Sequence, residues 1–166
     1  MAMTELEQLI IGDGAAAEPA VILDGVGELL AHKRVAGTPR SIYEELWHMV
    51  FWQKLSLDWV NGIATPYPVH ATGGFPTEVE AASEGWDQLR QRFFAGATEA
   101  AKAARDEGRH QKQVRCPSRP GSPDRIMTVR EQLENLAAHN AYHFGRIVLL
   151  RQIAGAWPPK AGGFTW

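Results

Sequence analysis

Two histidines four residues apart interrupt an otherwise apolar segment, "ENLAAHNAYHFGRIVLLRQ", at residues 134–152. His139 and His143 can be packing residues, surface residues or part of a metal site. On a helix at about 100° per residue they lie one turn apart and face the same way. Val129, Leu136, His139, Asn140, His143, Ile147 and Leu150 share one stripe, with Glu131, Glu134, Ala138 and Gln152 opposite. The pair therefore sits in the apolar stripe, which argues against a surface role. A second stripe, Ser41, Glu44, His48, Trp52, Leu55 and Trp59, points a third histidine inward from another helix. Two neutral imidazoles at i, i+4 and one from a facing helix make a facial three-nitrogen site. Each ring nitrogen can reach one ion at roughly 2.0–2.2 Å, with one or more positions left open. Core packing, with the histidines bonding each other, backbone or water, is the other reading of these residues.

Rival chemistries fit less well. A di-iron carboxylate site needs two Glu-x-x-His motifs; the chain has one, Glu45 to His48, and carries Leu136 and Asn140 where the last helix would need glutamates. An i, i+4 pair cannot supply both axial ligands of a haem, and there is no C-x-x-C-H. A zincin needs a glutamate directly after the first histidine, where Asn140 stands. His32, beside Lys33 and Arg34, and His70 and His110, in loops, read as solvated. The single cysteine, Cys116, excludes an intrachain disulfide and a Cys-rich metal site. Its Pro/Gly/Ser-rich surroundings, "QVRCPSRPGSPD", read as a loop with an incidental thiol rather than a nucleophile. Two weak catalytic candidates border the histidines. Glu44 is a second acceptor for an imidazole or a general base, or only the capping partner of Ser41. Asn140 orients substrate or bonds within the core. Trp52 and Trp59 wall a pocket or pack the interior.

The elements that must hold these residues read as helices. Residues 4–11 form a short one, broken at "GDG"; residues 17–31 form another, with Pro19 in its first turn and Gly25 and Gly27 weakening its end. The segment 41–62 is a strong helix with a Ser41/Glu44 capping box and an Asn61-Gly62 stop. A third helix spans 77–108 from a Thr77/Glu80 box, and a fourth spans 128–155 from a Thr128/Glu131 box. Residues 63–76 and 107–127 are long loops, 156–166 a tail. No segment alternates with period two. The expected class is all-α, one domain over 1–166, with four main helices as a four-helix bundle.

Bulk properties narrow the partners. The chain has 166 residues, 45% apolar content and a net charge of −2, without a dense Lys/Arg stripe. No nucleic acid and no membrane partner is expected. The N-terminus is acidic and lacks the apolar run of a signal peptide, so a cytoplasmic location is expected.

With these residues in hand, the sequence resembles the DinB superfamily, also called YfiT-like. The likeness is carried by "SIYEELWHMVFWQ" and "NLAAHNAYHFGRIVLLRQIAGAWPP" and spans residues 18–159. Matched residue by residue, His48, His139 and His143 correspond to the family's metal ligands. Arg146 stands where many relatives carry glutamine. The resemblance implies an up-down-down-up four-helix bundle, a homodimer and one divalent ion, with a small-molecule substrate. Some relatives transfer groups to or from a low-molecular-weight thiol cosubstrate; hydrolysis is the other reaction such a site suits. Three neutral imidazoles leave the ion's +2 charge uncompensated and favour an anionic fourth ligand. Histidine ligation suits zinc or nickel first, with iron, cobalt, copper and manganese as alternatives. A structural ion in a non-catalytic stress-response protein is the competing reading.

Overall fold

Helix ends in this chain are set by local hydrogen bonding. In the computed structural model, which describes residues 3–12 and 17–160, four helices begin at a reciprocal capping box. Thr4 with Glu7 opens α1 (Glu5–Ile11), and Ser41 with Glu44 opens α4 (Ile42–Val60). Thr77 with Glu80 opens α5 (Glu78–Ser83), and Thr128 with Glu131 opens α7 (Val129–Ile153). The side-chain oxygen takes the orphan N–H three residues on, and the glutamate returns the favour. The Asn61-Gly62 stop also forms, with Gly62 at φ 82°. Residues 13–14 of the first break and 161–166 of the tail lie outside the described residues.

Three expectations are corrected. Residues 17–31 are not one helix but two, α2 (Pro19–Leu23) and α3 (Glu28–His32). Gly25 at φ 69° turns the chain between them, in a region that L side chains rarely adopt. The third helix is also divided, α5 from α6 (Trp86–Arg105), at Glu84-Gly85. Partners from elsewhere hold that break: the Tyr43 hydroxyl donates to the Glu84 carbonyl at 2.8 Å, and Trp86 N–H to the Glu28 carboxylate at 2.9 Å. Finally, the second loop contains an antiparallel hairpin, β1 (Gln113–Cys116) and β2 (Arg125–Thr128), so the chain is mostly helical rather than strictly all-α. Val114 and Cys116 point into the core and their neighbours point out. Four-residue strands are too short for that alternation to register along the sequence.

The three long helices carry the core. α4 packs against both α6 and α7, α1 against α6 and α7, α3 against α4, and α2 against α7. Two apolar clusters result. In one, the first half of α4 (Leu46, Met49) meets the last half of α7 (Phe144, Ile147). In the other, the last half of α4 (Leu55, Trp59) meets the first half of α7 (Leu133, Leu136). α4 and α7 therefore run antiparallel, and the segment between the clusters is where their histidines face each other. Arg151, 2% exposed, closes the far end of α7 by donating to the carbonyls of Ile22 and Ala156.

Candidate metal centre

α4 and α7 bring together the three histidines singled out in the sequence. His48, His139 and His143 each offer one ring nitrogen, and those nitrogens all lie within 4.8 Å of one another. The Nε2 atoms of His48 and His139 are 3.2 Å apart. Two ligands on a tetrahedral ion, each about 2.1 Å from it, stand about 3.4 Å apart.

The ring partners decide which nitrogen is free. His48 Nδ1 lies 2.7 Å from the Gly74 carbonyl, which can only accept, so Nδ1 carries the proton and Nε2 is a bare lone pair. Burial pushes the His48 pKa down to about 4 and that of His139 to about 3, so both are neutral bases at pH 7. His143 Nδ1 is 2.6 Å from the Glu45 carboxylate, which turns its Nε2 toward the other two rings. His139 Nδ1 is buried without a hydrogen-bond partner. Whichever nitrogen of neutral His139 holds the proton, one of its ring nitrogens stays unsatisfied. Three ring nitrogens turned to one point are a donor set that fits a divalent cation, in place of the single His139–His48 hydrogen bond that the rings can otherwise form.

Around the rings, a layer of fixed groups holds their orientation. Glu45 is fully buried and accepts from His143 and, at 2.8 Å, from Arg146 Nε. Burial opposes its ionisation, but the hydrogen bonds from His143 and Arg146 outweigh it and hold its carboxyl below the usual range. Sequence reasoning met Glu45 only as half of a di-iron motif; its role is to orient His143 across the helix interface. Glu44 does not reach the histidines. It accepts from Ser41 N–H at 2.8 Å and pairs with Arg34 and Arg40, as the capping reading holds. Asn140 is buried beside His139 and slightly favours its protonated form, yet its amide makes no hydrogen bond of normal geometry.

Gly74, not singled out in the sequence, holds His48 through its carbonyl. A Cβ there would stand 3.1 Å from Trp52 Nε1 and 3.3 Å from His48 Nδ1. Next to it, Phe75 stacks on the His48 ring at 4.1 Å, and the Arg40 guanidinium lies 4.1 Å from the Phe75 ring centre. Gly74→Ala is expected to weaken divalent-ion binding roughly tenfold, the size of a second-layer defect, while the melting temperature changes little. A zinc titration against a competing chelator checks this; an unchanged affinity would remove Gly74 from the site.

A cavity of about 190 Å³ adjoins His139. Trp52 and Trp59 line it, with Tyr67, Gln132 and Arg125, while Trp59 is also core at 1% exposure, so both readings of the tryptophans hold. A larger groove of about 610 Å³ lies along α4 and α6 but includes none of the three histidines. Of the other histidines, His32 and His70 are exposed, His32 stacking on Tyr43. His110 is not solvated. It is 7% exposed and its Nε2 meets the Ala104 carbonyl at 2.8 Å, closing an end of α6 whose carbonyls lack helical partners. Cys116 sits in a strand, not a loop; it is buried, which raises its pKa, and it donates to Gln132 at 3.5 Å.

Residues 17–147 match the family model described as the DinB superfamily. That span holds the three histidines, Glu45 and every residue of the cavity. No curated protein matches the chain. No helix among the described residues is long and apolar enough to cross a membrane.

Proposed function

The chain belongs to the DinB superfamily, and on that premise we propose that it is a metal-dependent enzyme. His48, His139 and His143 hold one divalent ion, zinc or nickel, and the reaction at its open side is a thiol-dependent group transfer or a hydrolysis. The observation that carries this reading is the position of the cavity: space for a small molecule adjoins His139, one of the three histidines, and among the described residues no fourth ligand joins the cluster. A structural ion calls for a closed coordination shell. Among the described residues no further His, Cys, Asp or Glu joins the cluster. Glu45, the nearest carboxylate named around it, is committed to His143 and Arg146.

A divalent ion held by three neutral imidazoles lowers the pKa of a bound thiol or water toward neutrality. The protein's own contribution is positioning. Gly74 and Glu45 hold two of the rings by Nδ1, so that Nε2 faces inward. Trp52 and Trp59 give the adjoining space an apolar wall. We read the three long helices with the broken N-terminal segment as one domain, a four-helix bundle of up-down-down-up connectivity. We further place it in the cytoplasm as a homodimer, for which exposed Leu149 on α7 offers apolar surface.

Turnover of an electrophile panel by zinc- or nickel-loaded protein, with and without a low-molecular-weight thiol, tests the reading. Activity is expected to appear with the metal and to vanish on chelation. Tight metal binding with no turnover across the panel would favour the structural-ion reading instead, and turnover independent of the metal would overturn the metal-dependent one.

A further inference from the structure

We propose that the cavity beside His139 takes a small carboxylate with a flat apolar body of about one ring, its charge met by Arg125. This deepens the enzyme reading above and rests on it for the neighbouring ion. The size comes first: an apolar cavity of about 150 Å³ accommodates benzene, and this one measures about 190 Å³. The walls come second. Trp52 and Tyr67 pack on each other, with ring centres 5.0 Å apart and tilted by 55°, and so form one angled aromatic wall, and Trp52 lies 6.1 Å from the His139 ring. A planar group laid against that wall gains the offset contacts that aromatic faces favour.

Charge comes third. Arg125 is the one charged side chain lining the cavity, and among the described residues no carboxylate lines it or pairs with Arg125. Its neighbour across the hairpin turn behaves differently, since Arg115 is held by Asp124 at 2.5 Å. The inner polar wall is neutral and already committed: the Gln132 amide donates to the Ser56 hydroxyl at 3.0 Å and accepts from the Cys116 thiol. That wall offers no charge to a cationic ligand. The hairpin explains why the cation is there. Cys116 pairs in register with Arg125, so the two side chains share one face of the hairpin; Cys116 is anchored in the core, and the longer Arg125 side chain stays exposed at the rim of the cavity. Its planar donor fork suits a carboxylate.

The test uses the full chain, both zinc-loaded and chelator-stripped, with benzoate, benzamide and acetate as probes and tryptophan fluorescence as readout. In the stripped protein, benzoate is expected to bind about tenfold tighter than benzamide, as a charge-assisted contact implies, and acetate at least as weakly as benzamide. Arg125→Gln should erase the preference for benzoate and Arg125→Lys should retain part of it, with zinc content unchanged in both. Equal binding of benzoate and benzamide, or a preference that survives Arg125→Gln, would overturn the assignment. A preference seen only with zinc and untouched by Arg125→Gln places the carboxylate on the ion; the cavity proposal then fails while the metal reading stands. An Arg125-dependent preference in a protein that binds no zinc supports the cavity and removes the metal.

Discussion

Replacing His139 with alanine is expected to lower the divalent ion held by the chain from about one equivalent to less than about a tenth, with helical content unchanged. A four-ligand structural zinc site is worth about 10–16 kcal/mol at neutral pH, so losing one imidazole of three weakens binding on the order of a hundredfold or more. The helix should tolerate the change, because alanine is the best helix former and position 139 is only half-buried. His139 is also the ring whose Nδ1 has no partner. Without metal it contributes one hydrogen bond, Nε2 to His48 Nε2 at 3.2 Å, set against one unsatisfied buried nitrogen, and its removal should change the melting temperature of the metal-free protein little. Saturating zinc should raise the melting temperature of the wild type alone; at a hundred times Kd the stabilisation is about 2.7 kcal/mol. Metal analysis beside thermal denaturation checks both parts. Equal zinc content in the two proteins would sink the site.

The histidine triad was legible because its two supports are periodic. His48 lies on an inward stripe of α4, and His139 and His143 lie on an inward stripe of α7. Each stripe starts from a capping box that fixes where the helix begins. Glu45 was not legible in its true role. It sits one turn before His48 but serves His143, 98 residues away, and that pairing depends on how the two helices face each other. Gly74 escaped for the same reason: its carbonyl reaches His48 from a loop, and no periodicity marks a loop contact. The broken helices show the opposite failure. The apolar pattern of 77–108 continues across Glu84-Gly85, yet hydrogen bonds from Tyr43 and to Glu28 stabilise a break there. Single-helix patterning cannot register partners on other elements. His110 looked solvated because its neighbours are polar, but its ring folds back on α6.

Glu45→Ala is expected to destabilise the protein by about 2–3 kcal/mol, leaving the His143 Nδ1–H and the Arg146 guanidinium without their shared acceptor. The figure sits below the roughly 3–5 kcal/mol of a fully buried broken pair, because Arg146 is 33% exposed and can turn to water. At this chain length that corresponds to a melting temperature lower by roughly 5–10 °C. Glu45→Gln separates the two jobs of the carboxylate. The glutamine oxygen can still accept from His143, so the stability loss is smaller, but the negative charge behind the imidazole is gone. Metal affinity should fall about 10–100-fold, the usual effect of removing a carboxylate behind a ligating histidine. Pairing it with Arg146→Gln removes the opposing charge as well. Stability is then expected to recover relative to Glu45→Gln alone, since two neutral amides replace a half-broken ion pair, while metal affinity stays low. Recovery of both would mean that Glu45 acts only by packing against Arg146. Recovery of neither would mean that its charge is needed for the fold itself. The expected split, stability restored and affinity not, is the result that assigns the carboxylate to the metal through His143.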